Sequence, residues 1–289
     1  MANFELVSRK SSKARIAMTG PSGAGKTLSA LYLAYGITGD WKKIALIDTE
    51  HERGRFYADR SDLGTEEFLY ASLTPPYSAE RYIDFVNSAA EAVGKDGVVI
   101  VDSFSHAWDN EGGVLDYKSE VAKRSDKNDY TAWDEAGKMQ NNLVNTILSV
   151  DCHIIITMRA KMAYAMEKND RGKMVPVKLG LAPVQRDGTE YEFDIVFQIS
   201  RDHNAMLSKD TTFLDTFSGV ITPALGEQLR NWLSEGKEPP RCSVCGKAIV
   251  AAYGKTAEEL AAASTAKFGK VMCVACAKKE VNNGTADKS

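Results

Sequence analysis

The run Gly20-Pro21-Ser22-Gly23-Ala24-Gly25-Lys26-Thr27 reads G-x-x-x-x-G-K-T, a spacing suited to a nucleoside triphosphate. Its glycines let successive backbone N–H groups turn inward and form a nest for phosphate oxygens. A helix opening at the loop brings its positive end to the same oxygens. Lys26 would reach the β- and γ-phosphates of ATP, and the Thr27 hydroxyl would bind Mg²⁺. Leu28, the next residue, is counted with this nucleotide-binding set.

Two apolar runs end in carboxylates that could complete such a site. Val98-Val99-Ile100-Val101-Asp102-Ser103 has the form of a strand whose aspartate holds Mg²⁺ directly or through water. Ile44-Ala45-Leu46-Ile47-Asp48-Thr49-Glu50 has the same form with two acids at its end. Asp48 competes with Asp102 for the Mg²⁺ role, and Asp102 has the better strand context. Glu50 could orient or polarise the water that attacks the γ-phosphate, or it could be a solvated charge at a strand end.

These groups need a scaffold that brings separate strand ends together, which an α/β fold with a mainly parallel sheet flanked by helices does. Ala14 to Thr19 reads as a buried strand, and Leu28 to Tyr35 as a helix that stops at Gly36. Glu67 to Leu73 reads as another strand, and 79–93 as a helix with the stripe Tyr82, Phe85, Val86, Ala89, Ala90 and Val93. The polar segment 104–130 is either a functional loop or partly helical. Trp133, Met139, Leu143, Val144, Ile147 and Leu148 then line one side of a helix, before the buried strand His153 to Met158. Cys152 reads as a core thiol. Strands over 190–199 and 205–214 pair antiparallel, and Thr222-Pro223 opens the last helix of this domain.

Residues 159–190 differ in kind. Two alternating segments flank the turn-rich centre Lys168-Asn169-Asp170-Arg171-Gly172, which predicts a hairpin. It carries Arg159, Lys161, Lys168, Arg171, Lys173 and Lys178, with Tyr164 among them. Cations interleaved with an aromatic can hold a single-stranded nucleic-acid backbone and stack a base; an ordinary solvated hairpin has a similar composition.

Past the linker 236–241, Cys242-Ser243-Val244-Cys245 and Cys273-Val274-Ala275-Cys276 make two C-x-x-C pairs. Four thiolates in close pairs suit tetrahedral Zn²⁺, with a helix over Ala257 to Phe268 taking up the long spacer. A segment this small buries little core, so metal binding would supply its stability. The resulting division is an N-terminal arm (1–11), an ATPase domain (12–235), the linker, a zinc module (242–280) and a disordered tail (281–289). The chain has 289 residues and a formal net charge of −3, which gives no global attraction to nucleic acid; any such binding must be local. It lacks both a membrane-spanning apolar run and a signal-peptide pattern, so a cytoplasmic location away from membranes is expected.

The phosphate loop, Ile47-Asp48-Thr49-Glu50-His51 with Tyr57-Ala58 beyond it, and Val98 to Ser103 together resemble the ATPase core of RecA-type recombinases. The closest likeness is to the shortened phage versions, the Sak-type single-strand annealing ATPases, over about residues 12–235. The cysteine module is similar to small zinc modules appended to phage recombination proteins. The resemblance implies a RecA-like P-loop ATPase fold. Lys26, Glu50 and Asp102 would be catalytic, and Tyr57 would pack on the adenine. The segment after Asp102 and the hairpin would face single-stranded DNA. A ring or filament of identical subunits is implied, with a neighbour's Lys173, Lys178 or Arg186 completing the site. Where those recombinases carry a polar amide sensor, this chain has Thr157-Met158-Arg159.

The leading expectation is therefore a Mg²⁺-dependent ATPase acting on single-stranded DNA in recombination or annealing, with a single-strand-binding or other recombination protein as a further partner. The alternative is a nucleotide-gated scaffold that recruits a protein through the zinc module. A small-molecule kinase would use the same loop, but a water-activating Glu50 argues against it.

Overall fold

The computed structural model describes residues 12–124, 129–168, 174–235, 240–250, 252–253, 255 and 257–286. Two compact units divide the chain, Lys13–Trp232 and Leu233–Ser289. The larger holds strands β1 (Arg15–Gly20), β2 (Ile44–Asp48), β3 (Leu69–Ser72), β4 (Val98–Asp102), β5 (His153–Lys168), β6 (Met174–Pro183), β7 (Ile195–Ile199), β8 (Ala205–Asp210) and β9 (Ser218–Gly219). Their order is β3-β2-β4-β5-β1-β7-β8-β9, with β6 paired to β5 outside that path. From β3 across to β7 the pairings are parallel, while β8 and β9 run antiparallel.

Between and after the strands come α1 (Lys26–Thr38), α2 (Ala79–Val93), α3 (His106–Asp109), α4 (Val114–Lys123), α5 (Asp129–Ser149) and α6 (Pro223–Ser234). Every residue of β2 and β4 is buried, which is why both read as unbroken apolar runs without alternation. Tyr82 and Val86 of α2 and Leu143 and Ile147 of α5 pack with Ile47, Val101, Ile154 and Ile156 in one core. Ser78 caps α2, its hydroxyl accepting from the Arg81 N–H at 3.4 Å.

The segment after Asp102 is partly helical, as α3 and α4. Trp133 departs from the expected apolar stripe of α5. It is 43% exposed and packs beside Trp108 with ring centroids 6.4 Å apart, while Ala132, Ala136, Leu143, Val144 and Ile147 face inward. Among the described residues, no helix is long and apolar enough to cross a membrane. The expected arm (1–11) and most of the linker (236–239) lie outside the described residues.

In the smaller unit, α7 (Ala257–Phe268) fills the spacer between the cysteine pairs, as its alanine-rich composition predicts, and packs Ala257 and Ala261 on Ile249. Helix α8 (Val274–Ala286) begins between the second pair of cysteines, and residues 287–289 of the expected tail lie outside the described residues.

Gly36 also departs from expectation. The helix does not stop there; it runs to Thr38 and ends on Gly39, whose φ is 67°. A Cβ on Gly36 would lie 2.0 Å from the Pro223 carbonyl oxygen and 2.7 Å from Gly226 Cα. Gly36 is thus where α6 meets α1 backbone to backbone. Gly36→Ala should lower unfolding stability by about 1–3 kcal/mol, the usual cost of overpacking. Urea denaturation reads this directly, and an unshifted midpoint would mean that the two helices can separate without loss.

Candidate functional site

Parallel register explains how distant residues converge. Asp48 of β2 lies beside Asp102 of β4, and Met18 of β1 beside Thr157 of β5. Val101 pairs with Ile156, so Asp102 and Thr157 share that row. β1, β2 and β4 end at the same edge of the sheet, and β5 passes that edge into its pairing with β6; α/β folds place ligands there. Glu50 and Arg159 each stand two residues beyond the row. The chain of β4 turns away after Asp102, leaving them to meet across its end.

The phosphate loop turns from β1 into α1 through Gly25, whose φ of 84° is natural only for glycine. Lys26 is buried, and its Nζ donates to the Gly20 and Pro21 carbonyls, each at 2.9 Å. Burial lowers the Lys26 pKa, while Asp102 and Glu50 oppose that shift. The Thr27 hydroxyl donates to Asp102 Oδ2 at 2.5 Å, and the Thr157 hydroxyl to Asp102 Oδ1 at 2.5 Å. Burial pushes the Asp102 pKa upward, and the two hydroxyls work against it.

Glu50 projects into the same cavity, of about 260 Å³, which Ser22, Gly23, Lys26, Thr27, Tyr57 and Asp102 also line. Its Oε1 accepts from Arg159 Nε at 2.7 Å, and its Oε2 accepts from Arg159 Nη2. Burial alone would raise the Glu50 pKa, but the hydrogen bonds and charge of Arg159 outweigh it and hold the carboxyl below its ordinary value. His106 Nε2 stands 3.9 Å from Glu50 Oε1. Its Nδ1 lies 2.7 Å from the Thr49 hydroxyl. Burial, then Arg159, lowers the His106 pKa, which favours the neutral ring.

Asp48, the other candidate for the metal, accepts hydrogen bonds on both oxygens. Its Oδ1 accepts from the Glu50 N–H at 2.5 Å, and its Oδ2 accepts from the Gly54 N–H at 2.7 Å and the Tyr70 hydroxyl at 3.0 Å. It ties down the turn that carries Glu50 and, beyond it, Tyr57. Burial, then Asp102, raises the Tyr57 pKa, which keeps this phenol protonated where it lines the cavity.

Of the residues expected to face DNA, Arg159 lines the nucleotide cavity, where its guanidinium donates to Glu50. Lys161 is exposed on β5. Tyr164 and Lys168 lie on the same strand, with their side chains outside the described part of the structure. Arg171 and Lys173 lie outside the described residues. Sequence reading missed Thr157 and Arg159 as nucleotide-site residues. The signal available was Thr157-Met158-Arg159 at the end of the apolar run His153 to Met158. It also missed His203, in the turn between β7 and β8, whose Nδ1 lies 3.0 Å from the Ala24 carbonyl of the phosphate loop.

In the smaller unit the Sγ atoms of Cys242, Cys245, Cys273 and Cys276 all lie within 4.8 Å of one another. The first pair sits on a turn in which the Gly246 N–H donates to the Cys242 carbonyl at 2.8 Å. Backbone N–H donors, first that of Cys273, lower the Cys242 pKa to about 6 and favour its thiolate.

A family model described as an AAA domain matches residues 12–222, and the chain belongs to that family. Its larger unit is an AAA-type nucleotide-binding domain of the P-loop class, which points to ATPase activity. No curated protein matches the chain.

The geometry makes Asp48 the anchor of the Glu50 turn. Asp48→Ala should speed amide hydrogen exchange at Glu50 and Gly54 roughly tenfold, the effect of losing a hydrogen bond to a charged acceptor. Mass spectrometry of the 48–57 peptide measures it. Unchanged exchange would show that the turn holds without Asp48.

Proposed function

We propose that the chain is a Mg²⁺-dependent ATPase that binds single-stranded DNA and promotes recombination or annealing, of the Sak-type phage class. The observation that carries the ATPase reading is the convergence of Lys26, Thr27, Glu50 and Asp102 on one cavity. The Thr27 hydroxyl and the Asp102 carboxylate are hard oxygen donors already hydrogen-bonded to each other, a fitting pair to hold Mg²⁺. When bound, the metal supplies charge neutralisation on the phosphates. Lys26, freed from its carbonyl partners, would do the same from the loop side. Glu50 would hold the attacking water in line with the γ-phosphate and accept its proton.

Support for the DNA reading is compositional: the basic hairpin residues, including exposed Lys161, and the lysines of the cysteine module. Zinc suits that module. Tetrahedral Zn–S bonds of about 2.3 Å set sulfurs about 3.8 Å apart. Cys245 and Cys273 Sγ are 3.8 Å apart here. A ring or filament of identical subunits in the cytoplasm, working with a single-strand-binding or other recombination protein, completes the proposal. The second reading, a nucleotide-gated scaffold for a protein partner, draws on the exposed Met162, Met166, Met174 and Leu181 of the β5–β6 ribbon.

Glu50→Gln should bind ATP with near wild-type affinity and lose turnover by about a hundredfold or more, the scale of a lost general base. Unchanged turnover would remove Glu50 from the mechanism. In the same preparation, fluorescence anisotropy of a labelled oligothymidine with ATP present should rise on titration at low salt. A flat titration would favour the scaffold.

A further inference from the structure

Lys26 holds the first half of the phosphate loop through the Gly20 and Pro21 carbonyls, and a histidine from the turn between β7 and β8 holds the second half. We infer that His203 is a positioning residue for the nucleotide: by donating from Nδ1 to the Ala24 carbonyl, it sets the Ala24–Gly25 peptide so that the Gly25 N–H faces the phosphates. The inference rests on the reading of the cavity as a nucleotide site and adds a residue that shapes it.

One peptide bond links the two groups. Ala24 supplies its carbonyl and Gly25 its N–H, and in a trans peptide these point in opposite directions. Fixing the carbonyl therefore fixes the N–H. His203 Nδ1 lies 3.0 Å from the Ala24 oxygen. A carbonyl only accepts, so Nδ1 carries the proton. The bond also polarises the peptide, which makes its N–H a stronger donor toward an anion. Gly25 lines the cavity beside Gly23, Lys26 and Thr27.

The loop needs such an outside contact. Gly23 has a φ of 81° and Gly25 a φ of 84°, so this stretch has a wide choice of backbone states. His203 packs directly on it: a Cβ on Gly25 would lie 2.8 Å from Nδ1.

The turn that presents the ring is firmly built. β7 is in parallel register with β1, and a Cβ on Gly20 would lie 2.4 Å from the carbonyl oxygen of Ile199, the last residue of β7. The Ser200 N–H donates to the Asn204 carbonyl at 2.9 Å, and the His203 N–H to the Ser200 carbonyl at 3.0 Å. Asp202 accepts from the Ser200 hydroxyl and from Asn204 Nδ2 at 2.9 Å. His203 itself has a φ of 66°, a left-handed conformation that L side chains rarely adopt. To reach a phosphate Lys26 must leave its carbonyls, whereas His203 can keep its own.

The test is calorimetric titration of the full chain with ADP and Mg²⁺, and separately with inorganic tripolyphosphate and Mg²⁺, in wild type and three variants. His203→Ala removes the donor. His203→Gly removes it while relieving the left-handed backbone, so it also decides if the Ala variant fails to fold. His203→Asn tolerates that backbone and places an N–H at the same point along the side chain as Nδ1. The Ala and Gly variants should raise Kd about fivefold for both ligands, the scale of one net hydrogen bond, and Asn should return it to within about twofold of wild type. Wild-type Kd for both ligands in His203→Gly would overturn the assignment. So would an Asn variant as weak as Gly. A loss for ADP with none for tripolyphosphate would place His203 on the nucleoside and overturn it too. Wild type that binds neither ligand would instead sink the nucleotide reading, and this assignment with it.

Discussion

Asp102 is a carboxylate inside a sheet, and the site depends on how that charge is tolerated. Both of its oxygens take a threonine hydroxyl, Thr27 from the start of α1 and Thr157 from β5. An unpaired buried carboxylate would be costly enough to be protonated or expelled. The two hydroxyls do more than offset that cost. They bind the end of β4 to the phosphate loop on one side and to the root of the ribbon on the other. A change at either neighbour is felt at the residue best placed to hold a metal.

Around that point the structure arranges charges by register more than by local sequence. Asp48, one strand over, is spent on holding a turn. Glu50, two residues later, is left facing the cavity, and Arg159 reaches it from the far side of β4. The spacing between parallel strands, about 4.8 Å, puts the two side chains within reach only because β4 turns away between them. The same constraint gives Arg159 its double membership, in the nucleotide cavity and at the base of the ribbon.

What could be read beforehand was what short segments decide. The phosphate loop, the apolar strands ending in Asp48 and Asp102, helix α2 with its apolar stripe and the paired cysteines are all local patterns with local physical reasons. What could not be read was set by contacts distant in sequence. Gly36 looked like a helix end because glycine usually ends one; only the approach of α6 reveals it as a helix–helix contact. Arg159 looked like part of a basic hairpin because charge alone does not say which carboxylate lies across the sheet. Trp133 fitted a helical stripe, but α5 is rotated so that the tryptophan packs with Trp108 at the surface. The fold class and the nucleotide loop were thus legible, and the wiring between the carboxylates was not.

We propose that this AAA-domain core is an ATPase whose chemistry is tied through β5 to a ribbon that would face nucleic acid. The most direct test is ATP turnover by the purified full chain with and without single-stranded DNA, using Lys26→Ala as the blank. The account predicts turnover that the blank abolishes and that DNA stimulates. Turnover indifferent to DNA would contradict the link between ribbon and site, and turnover equal to the blank would contradict the ATPase itself.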